Sequence, residues 1–484
     1  MLNFTLPADE LVRLELAAGG FQIIDMLREA PGVEEALTEV GLGEWRAVFS
    51  PHDNPNLVLD HELREMALEA ARKGTYIDPL HSPPEKHGWR VACPPFSPAW
   101  LDDTPFPDYE REPREGWPRD GPKTFIHDPL AAVDPCLHPA DLRTHGAYLA
   151  HGAGPGPQRT LVPQFSYSVT PLHADIRVAL PINWVPDDLP HEGRPPPLGL
   201  TWAERVDARL QWRGSNTGIW HAADGRWRDA HRIRLAALAA GVGSANVGVR
   251  VGVRVGVGGG SVRRAGEGQD MLGFGFDDDE DWDDEEGEGG REQRVPVGAP
   301  ISVPRARLVP ALLDVAFAGR PLNCEGAQCA VLEGMFEWRK AHDLKTAARY
   351  KYVLDVSGRE RVVESLQAPD ELRLAYTTYP EWFTDRLAPW VHYVPIQNSY
   401  SDLLDALVFR AHDKTAERIT AAGRGWSRRF WRKEDMVAYM YRPLLEYARV
   451  MSLDRDAMSF KMWPDERKDV AREQALMAAK EEEE

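Results

Sequence analysis

The fold class is decided by residues 210–218, which read LQWRGSNTG. Leu210 to Trp212 are predicted to end a buried strand, and Arg213 leads from it into a turn of small residues with hydroxyl and amide groups. This arrangement is typical of a phosphate site, because a guanidinium pairs with phosphate oxygens while small residues let backbone N–H groups approach the same anion. A tight turn that carries a surface arginine explains the nine residues equally well.

The composition excludes several classes of protein. A chain of 484 residues with 43% hydrophobic residues and 16 tryptophans is predicted to be globular, with room for two domains. Its formal net charge of −19 argues against a nucleic-acid binder, which needs a basic face to neutralise phosphates.

The sequence has no run of about 18 apolar residues. Met1 is not followed by a basic segment and an apolar segment. We therefore expect neither a membrane span nor a signal peptide in this chain.

The cysteines leave the redox compartment open. None of the four forms a Cys-x-x-Cys pair, and the spacing of a zinc site is absent. Cys324 and Cys329 close a short loop that is able to hold a disulfide, while Cys93 and Cys136 lie far apart in sequence. Two disulfides in a secretory lumen and four buried thiols in the cytosol both fit this pattern.

Predicted strands and helices alternate along the chain. Apolar and β-branched runs predict strands, and apolar residues spaced three and four apart predict helices. The predicted strands are 45–49, 161–166, 210–212, 350–356 and 390–394, and the predicted helices include 62–73, 229–240, 332–341 and 433–451. This alternation indicates an α/β fold with two halves.

A segment of low complexity interrupts the second half. Residues 241–260 are mostly glycine and valine, and residues 277–288 are almost entirely acidic. Such segments cannot bury enough apolar surface to offset their ordering entropy, so we predict a disordered insertion over about residues 241–300. The Asp281-Trp282-Asp283 triplet matches the Asp-x-Asp pattern of metal-dependent glycosyl transfer, but a run this acidic produces that match by chance.

A carboxylate follows the predicted strand 45–49. Asp53 lies in a loop that reads SPHDNP over residues 50–55. Ligands of open α/β sheets gather at the carboxyl ends of the strands, so this loop is a place for a working carboxylate. For the residue taken alone, an Asx turn is the favoured interpretation.

Five stretches of the chain together resemble glycosyltransferase family 90, the capsule-associated type that includes protein O-glucosyltransferases and related xylosyltransferases. They are PQFSYS at 163–168, DI at 175–176, WRGSNTG at 212–218, YKYVLDV at 350–356 and WVHYVP at 390–395, followed by YSDL at 400–403. Their order and separation cover most of the chain, from about residue 45 to residue 450.

The resemblance implies a GT-B architecture, in which two Rossmann-like domains face a cleft. On this basis residues 1–200 are expected to form the acceptor-side domain, and residues 201–240 with 301–430 the UDP-sugar-binding domain. Residues 431–479 are expected to pack back on the domains as a C-terminal helix, and residues 480–484 to form an acidic tail. The family also implies residence in the secretory pathway, in the lumen of the Golgi or the endoplasmic reticulum.

The resemblance further implies an enzyme that transfers a sugar with inversion, from UDP-xylose or UDP-glucose to a hydroxyl of a glycan or protein acceptor, without a bound metal. Asp53 corresponds to the general base, which deprotonates the acceptor hydroxyl. Fixed cations stabilise the departing diphosphate. The donor site is expected to comprise Arg213, Gly214, Ser215 and Thr217, with Ser166 and Ser168 near the nucleotide.

The family pattern breaks after the predicted strand 350–356. The family has a Ser-x-Arg-Phe element there, whose arginine also holds the diphosphate, whereas residues 357–366 read SGRERVVESL. Arg359 and Arg361 are the candidates to replace it. Loss of one charge-assisted phosphate contact costs a few kcal/mol of transition-state stabilisation. A catalytically impaired homologue that binds nucleotide or glycan is therefore the second hypothesis. A scaffold that binds basic partners through its acidic insertion is the third.

Overall fold

The fold comes from a computed structural model, which describes residues 4–5, 46–50, 55–77, 86–102, 125–150, 154–158, 161–179, 200–241, 244–248, 300–356, 372–408 and 413–452. The chain divides into two compact units, Met1–Val48 with Lys433–Glu484, and Phe49–Arg432. The predicted GT-B pair of domains, with its boundary after residue 200, stays a prediction.

Twelve strands and eleven helices lie in the part of the chain that the structure describes. The strands are β1 (Phe4–Thr5), β2 (Arg46–Phe49), β3 (Gln164–Ser166), β4 (Ile176–Arg177), β5 (Asp207–Gly214), β6 (Ser244–Gly248), β7 (Pro300–Pro304), β8 (Leu313–Ala318), β9 (Trp338–Arg339), β10 (Tyr350–Val356), β11 (Leu372–Tyr376) and β12 (Val394–Pro395). The helices are α1 (His61–Lys73), α2 (Pro98–Leu101), α3 (Pro129–Ala132), α4 (Gly146–Leu149), α5 (His231–Ala239), α6 (Arg305–Leu312), α7 (Gly326–Met335), α8 (Leu344–Ala347), α9 (Leu403–Val408), α10 (Asp413–Phe430) and α11 (Lys433–Met451). None of the helices within these ranges is long and apolar enough to cross a bilayer.

The second unit is built around a six-stranded parallel sheet. Its strand order is β12-β11-β10-β5-β8-β9, and every neighbouring pair is parallel. Counted along the chain from β5, this is the order 3-2-1-4-5-6 of a Rossmann-like fold, whose direction of progression reverses between the first and fourth strands. Ligands of such sheets bind in the crevice at the carboxyl ends of these two strands. The crevice therefore lies where β5 and β10 end.

The sheet forms because its strands are apolar where they face the core. In β10 buried and partly buried residues alternate, and Tyr352 and Leu354 lie on the buried side. The main hydrophobic cluster joins these side chains to Leu210 of β5, Phe317 of β8 and Leu235 of α5. The predicted α/β class and the predicted strands at 210–212 and 350–356 are confirmed.

The predicted strand at 390–394 is wrong in position. Trp390 has a φ of 64°, and its N–H donates to the Tyr393 carbonyl at 2.8 Å, which closes a turn. Only Val394 and Pro395 pair with β11. An aromatic and β-branched composition predicts a strand, but the left-handed backbone at Trp390 breaks the extended geometry.

The prediction of a disordered insertion over residues 241–300 is wrong at its edges. Residues 244–248 form β6, which pairs antiparallel with β7, so Ser244 lies opposite Pro304 and Gly248 opposite Pro300. The pairing of β6 with β7 gives hydrogen-bonding partners to backbone N–H and C=O groups that either strand alone would leave without one. Residues 249–299 lie outside the described residues.

The four cysteines form two disulfides. Cys93 bonds to Cys136, and Cys324 bonds to Cys329, each with a Cα–Cα distance of 5.3 Å. The first joins loops that are 43 residues apart within a small hydrophobic cluster containing Trp89. The second closes the loop at the start of α7.

Candidate functional site

The turn after β5 is held in one conformation. The amide of Asn216, which is 1% exposed, donates from Nδ2 to the Leu322 carbonyl at 2.7 Å and accepts at Oδ1 from the Leu322 N–H at 2.9 Å. The hydroxyls of Ser215 and Thr217 lie 2.6 Å apart. Gly214 admits no side chain, because a Cβ there would lie 2.5 Å from the Trp212 ring. The turn is therefore a fixed platform at the carboxyl end of β5.

Arg213 points into the protein at the start of this turn. Its side chain is 6% exposed, and its Nη2 lies 2.5 Å from Oδ1 of Asp314, which is also 6% exposed. Its Nη1 donates to the backbone carbonyls of Trp212 and Asp314 at 2.9 and 2.7 Å. These contacts tie β5 to its neighbour β8. The predicted role of Arg213 at a phosphate stays a prediction.

Asp314 is the centre of this buried ion-pair network. It also accepts from Nη1 of Arg339 at 2.6 Å and from the Tyr350 hydroxyl. Burial opposes ionisation of Asp314, but the hydrogen bonds from Tyr350 and Arg213 outweigh it and lower the pKa of the carboxyl. The same burial and the Asp314 carboxylate raise the pKa of Tyr350 to about 12. Arg213, Asp314 and Tyr350 therefore join three adjacent strands through one charged cluster.

A different arginine lies on the hydroxyl side of the turn. Nη1 of Arg232, in the first turn of α5, donates to Oγ1 of Thr217 at 2.9 Å and to the carbonyl of Ser215 at 3.1 Å. It also lies 3.3 Å from the Thr217 carbonyl and 3.4 Å from Oγ of Ser215. A guanidinium, two hydroxyls and a helix N-terminus thus meet at the carboxyl end of β5, and each of these groups favours an anion.

Sequence reasoning missed Arg232. It lies 15 residues after Thr217 and belongs to a helix predicted at 229–240, with no phosphate motif around it. The available signal was the pair Arg232 and Arg234 in the first turn of the helix that follows the Ser/Thr turn. A helix that follows such a turn presents its N-terminus to the same crevice.

The carboxyl end of β10 supplies acidic groups. Asp355 pairs with Nη1 of Arg373 at 3.1 Å. Burial raises the pKa of Asp355, and the charges of Arg373 and Arg232 oppose this rise. Glu381 lies beyond β11, and burial followed by the charge of Asp355 raises its pKa to about 8. The ends of β5 and β10 are therefore joined electrostatically through Arg232 and Asp355.

Ser166 and Ser168, which are predicted to lie near the nucleotide, make different contacts. Ser168 forms an isolated antiparallel bridge with Glu381. The hydroxyl of Ser166 donates to Asp175 at 2.6 Å, and Asp175 also accepts the backbone N–H groups of Asn56 and Leu57 at 3.1 and 2.8 Å. The structure therefore brings Ser215 and Thr217 to Arg232, and Ser168 to Glu381.

Three predicted site residues, Asp53, Arg359 and Arg361, lie outside the described residues. Within those residues, no group of three or more His, Cys, Asp or Glu side chains is placed to hold a metal ion. The expectation of metal-free transfer stays a prediction.

Two histidines stack beside the turn. The His145 and His231 rings lie 3.9 Å apart with planes 5° from parallel. The Gly146 N–H donates to Nδ1 of His231 at 3.2 Å, and the Ala147 N–H donates to Nδ1 of His145 at 3.1 Å. Both Nδ1 atoms therefore act as acceptors, which requires neutral rings. Burial, and then the charges of Arg234 and Arg232, hold the pKa of His145 well below its usual value.

We expect the folded state to lose stability as the pH falls below about 6.5, the pKa of an unfolded histidine. The unfolded chain then binds a proton at His145 that the folded protein excludes, which costs up to about 1.4 kcal/mol per pH unit. Urea unfolding of wild type and His145→Asn at pH 5, 6, 7 and 8 measures this, and the variant should show the flatter pH dependence. His138→Asn, at an exposed position, is the control. Equal slopes for wild type and His145→Asn would contradict the assignment.

Comparison with known proteins finds similarity over the C-terminal part of the chain. The family model for glycosyl transferase family 90 matches residues 332–470. Protein O-glucosyltransferase 2 of Danio rerio is 30% identical over 106 residues, 21% of this chain and 21% of that protein. Protein O-glucosyltransferase 3 of Rattus norvegicus is 34% identical over 125 residues, 24% of this chain and 25% of that protein. O-glucosyltransferase rumi of Drosophila pseudoobscura pseudoobscura is 35% identical over 81 residues, 16% of this chain and 19% of that protein.

These matches span about a quarter or less of each relative. The family segment contains β10, β11 and β12 with Asp355 and Glu381, whereas the turn after β5 and Arg232 precede it. The resemblance predicted from the sequence motifs is confirmed: over residues 332–470 this chain is similar to glycosyl transferase family 90.

Proposed function

We propose that this chain is a glycosyltransferase that moves a sugar from a UDP-sugar to a hydroxyl group of an acceptor. One observation carries the proposal: a Ser/Thr turn and Arg232 lie at the switch point of a Rossmann-like sheet. That is the place where such sheets bind nucleotides. The names of the relatives, which are O-glucosyltransferases, favour glucose over xylose as the sugar and a protein as the acceptor.

The proposed chemistry is a single displacement with inversion. The acceptor oxygen bonds to the anomeric carbon while the bond from that carbon to the UDP oxygen breaks, and UDP leaves with the electron pair. The acceptor's proton passes to the carboxylate of Asp53. Arg232 and the hydroxyls of Ser215 and Thr217 hold the diphosphate, so that its developing charge is stabilised by fixed groups rather than by a metal ion. Arg359 and Arg361 are the proposed second source of positive charge.

In this proposal the main role of Arg213 is to position the turn after β5. Its pairing with Asp314 fixes the end of β5, from which the turn begins. Gly214 permits that geometry because the Trp212 ring occupies the space of a side chain. Ser166 acts in the same indirect way, since it helps Asp175 to hold residues 56 and 57, three and four positions after Asp53.

The proposed compartment is the secretory lumen. Disulfides persist in oxidising compartments and are rare in the cytosol. The pairs Cys93–Cys136 and Cys324–Cys329 support this assignment.

We expect Arg232→Met to weaken UDP binding by about 10- to 100-fold. A hydrogen bond to a charged group contributes about 1.5–3 kcal/mol, and about 1.4 kcal/mol corresponds to a factor of ten. Isothermal titration calorimetry with UDP measures the change. Arg228→Met is the matched control, because Arg228 is an exposed arginine whose guanidinium lies over the Trp227 ring. Equal UDP affinity of wild type and Arg232→Met would remove Arg232 from the site, and absence of UDP binding to wild type would overturn the proposed function.

A further inference from the structure

The backbone of Glu381 is held in place, whereas one oxygen of its carboxyl group has no hydrogen-bonding partner within the described residues. Its N–H donates to Oγ1 of Thr384 at 2.8 Å, and its carbonyl accepts from Nη1 of Arg177 at 3.1 Å. Its carboxyl oxygen Oε2 is buried, yet it makes no hydrogen bond within the part of the chain that the structure describes. A buried polar atom of this kind is destabilising, because no hydrogen bond compensates for the loss of its contact with water. Most such atoms find a partner, so this one requires an explanation.

The surroundings of Glu381 favour its neutral form. Burial, and then the negative charge of Asp355, raise its pKa to about 8, so the carboxyl group carries its proton at pH 7. Among the described residues, the charged groups around it are Asp355 of β10 with its partner Arg373 of β11, and Arg177 of β4 with its partner Asp385. Arg232 of α5 lies beyond Asp355. A neutral carboxyl group both donates and accepts hydrogen bonds, as a sugar hydroxyl does.

Glu381 also lies beside the proposed donor site. Its backbone pairs with that of Ser168, which the family resemblance places near the nucleotide. Its neighbour Asp355 is the penultimate residue of the strand that borders the switch point, and it lies within electrostatic reach of Arg232. A second ionised carboxylate here would repel a diphosphate held at Arg232, whereas a neutral one does not.

We propose that the Glu381 carboxyl group contacts the bound sugar nucleotide and donates a hydrogen bond to one of its hydroxyl groups. This inference rests on the proposed function, because it requires a UDP-sugar in the crevice between the ends of β5 and β10. It adds a donor-binding residue to the turn after β5 and Arg232.

The test is the pH dependence of donor binding in wild type and Glu381→Gln. Above the pKa of Glu381, wild type loses the proton that makes the contact, so its affinity for the donor should fall about tenfold between pH 7 and pH 9. Glutamine keeps a neutral donor group of similar shape at every pH, so the affinity of Glu381→Gln should stay constant over this range. Calorimetry at pH 7, 8 and 9 measures both, with circular dichroism in the same buffers to verify that each protein is folded.

Two ligands and one control make the result specific. If the affinity for UDP itself depends on pH, the hydroxyl that accepts from Glu381 belongs to the nucleotide. If only the affinity for UDP-glucose depends on pH, that hydroxyl belongs to the hexose. Asp385→Asn removes an exposed carboxylate from the same loop and should leave the wild-type pH profile unchanged. Parallel profiles of wild type and Glu381→Gln, with UDP bound by both, would overturn this inference alone. Absence of UDP binding to wild type at every pH would overturn the proposed function and this inference with it.

Discussion

Asp53→Asn is expected to slow UDP release from UDP-glucose by about 10²- to 10⁴-fold, the usual contribution of a general base. Asparagine keeps the size of the side chain but cannot take the proton of the attacking hydroxyl. UDP affinity should stay at the wild-type value, because the diphosphate is held at Arg232 and the turn after β5. A coupled assay of UDP release, with water as the acceptor, measures the rate, and calorimetry measures the affinity.

The described residues on both sides of Asp53 support this expectation. Nδ2 of Asn56 donates to Oγ of Ser50 at 2.8 Å, which joins the two flanks of the predicted base. Asp175 holds the N–H groups of Asn56 and Leu57. A base needs such positioning, because its carboxylate has to lie within hydrogen-bond reach of the proton that it takes.

The controls separate an active enzyme from a catalytically impaired homologue. Asp224→Asn changes an exposed aspartate and should keep the wild-type rate. Equal UDP release by wild type and Asp53→Asn would remove Asp53 from the mechanism. UDP binding by wild type without turnover is the result that a catalytically impaired homologue predicts. Substitution of UDP-xylose for UDP-glucose in the same assay identifies the sugar, and we expect the faster release with UDP-glucose.

Arg213→Met is expected to lower the free energy of unfolding by about 1.5–3 kcal/mol, the contribution of a hydrogen bond to a charged group. Asp314 loses its buried guanidinium but keeps its contacts with Arg339 and Tyr350. Arg213 and Asp314 are each 6% exposed, so water cannot replace the lost guanidinium. Urea unfolding at pH 7 measures the change.

Arg339→Met is a matched control on the same acceptor. Nη1 of Arg339 contacts the same Oδ1 of Asp314 at 2.6 Å, but the Arg339 side chain is 42% exposed. Exposed ion pairs contribute about 0–1 kcal/mol, so this variant should unfold close to wild type. Wild-type stability of Arg213→Met would contradict the structural role of Arg213. Combined with a loss of UDP affinity, it would return Arg213 to the phosphate site predicted from the sequence.

The sequence predicts those strands whose own residues are enough to identify them. The strands at 210–212 and 350–356 are correct, because an apolar run in a buried parallel strand needs no knowledge of its neighbours. The turn after Arg213 is also correct in kind, since Gly214, Ser215 and Gly218 are turn-forming residues. The predicted strand at 390–394 is wrong, because nothing in the residue type of Trp390 reveals its left-handed backbone.

The parts of the site that sequence reasoning missed depend on contacts between distant segments. The ion pair of Arg213 cannot be predicted from the sequence around it, because its partner, Asp314, lies 101 residues away on the neighbouring strand. Arg232 reaches the turn only because α5 packs against the sheet. Glu381 acquires its raised pKa from burial and from Asp355, and neither is visible in the sequence around it.

The most direct measurement is a crystal structure of the protein with UDP bound. The diphosphate should lie at the turn after β5, in contact with the guanidinium of Arg232 and the hydroxyls of Ser215 and Thr217, with Glu381 within hydrogen-bond distance of a hydroxyl of the nucleotide or facing the place of the sugar. UDP bound at another face of the sheet, with this turn in contact with solvent alone, would contradict the proposed donor site.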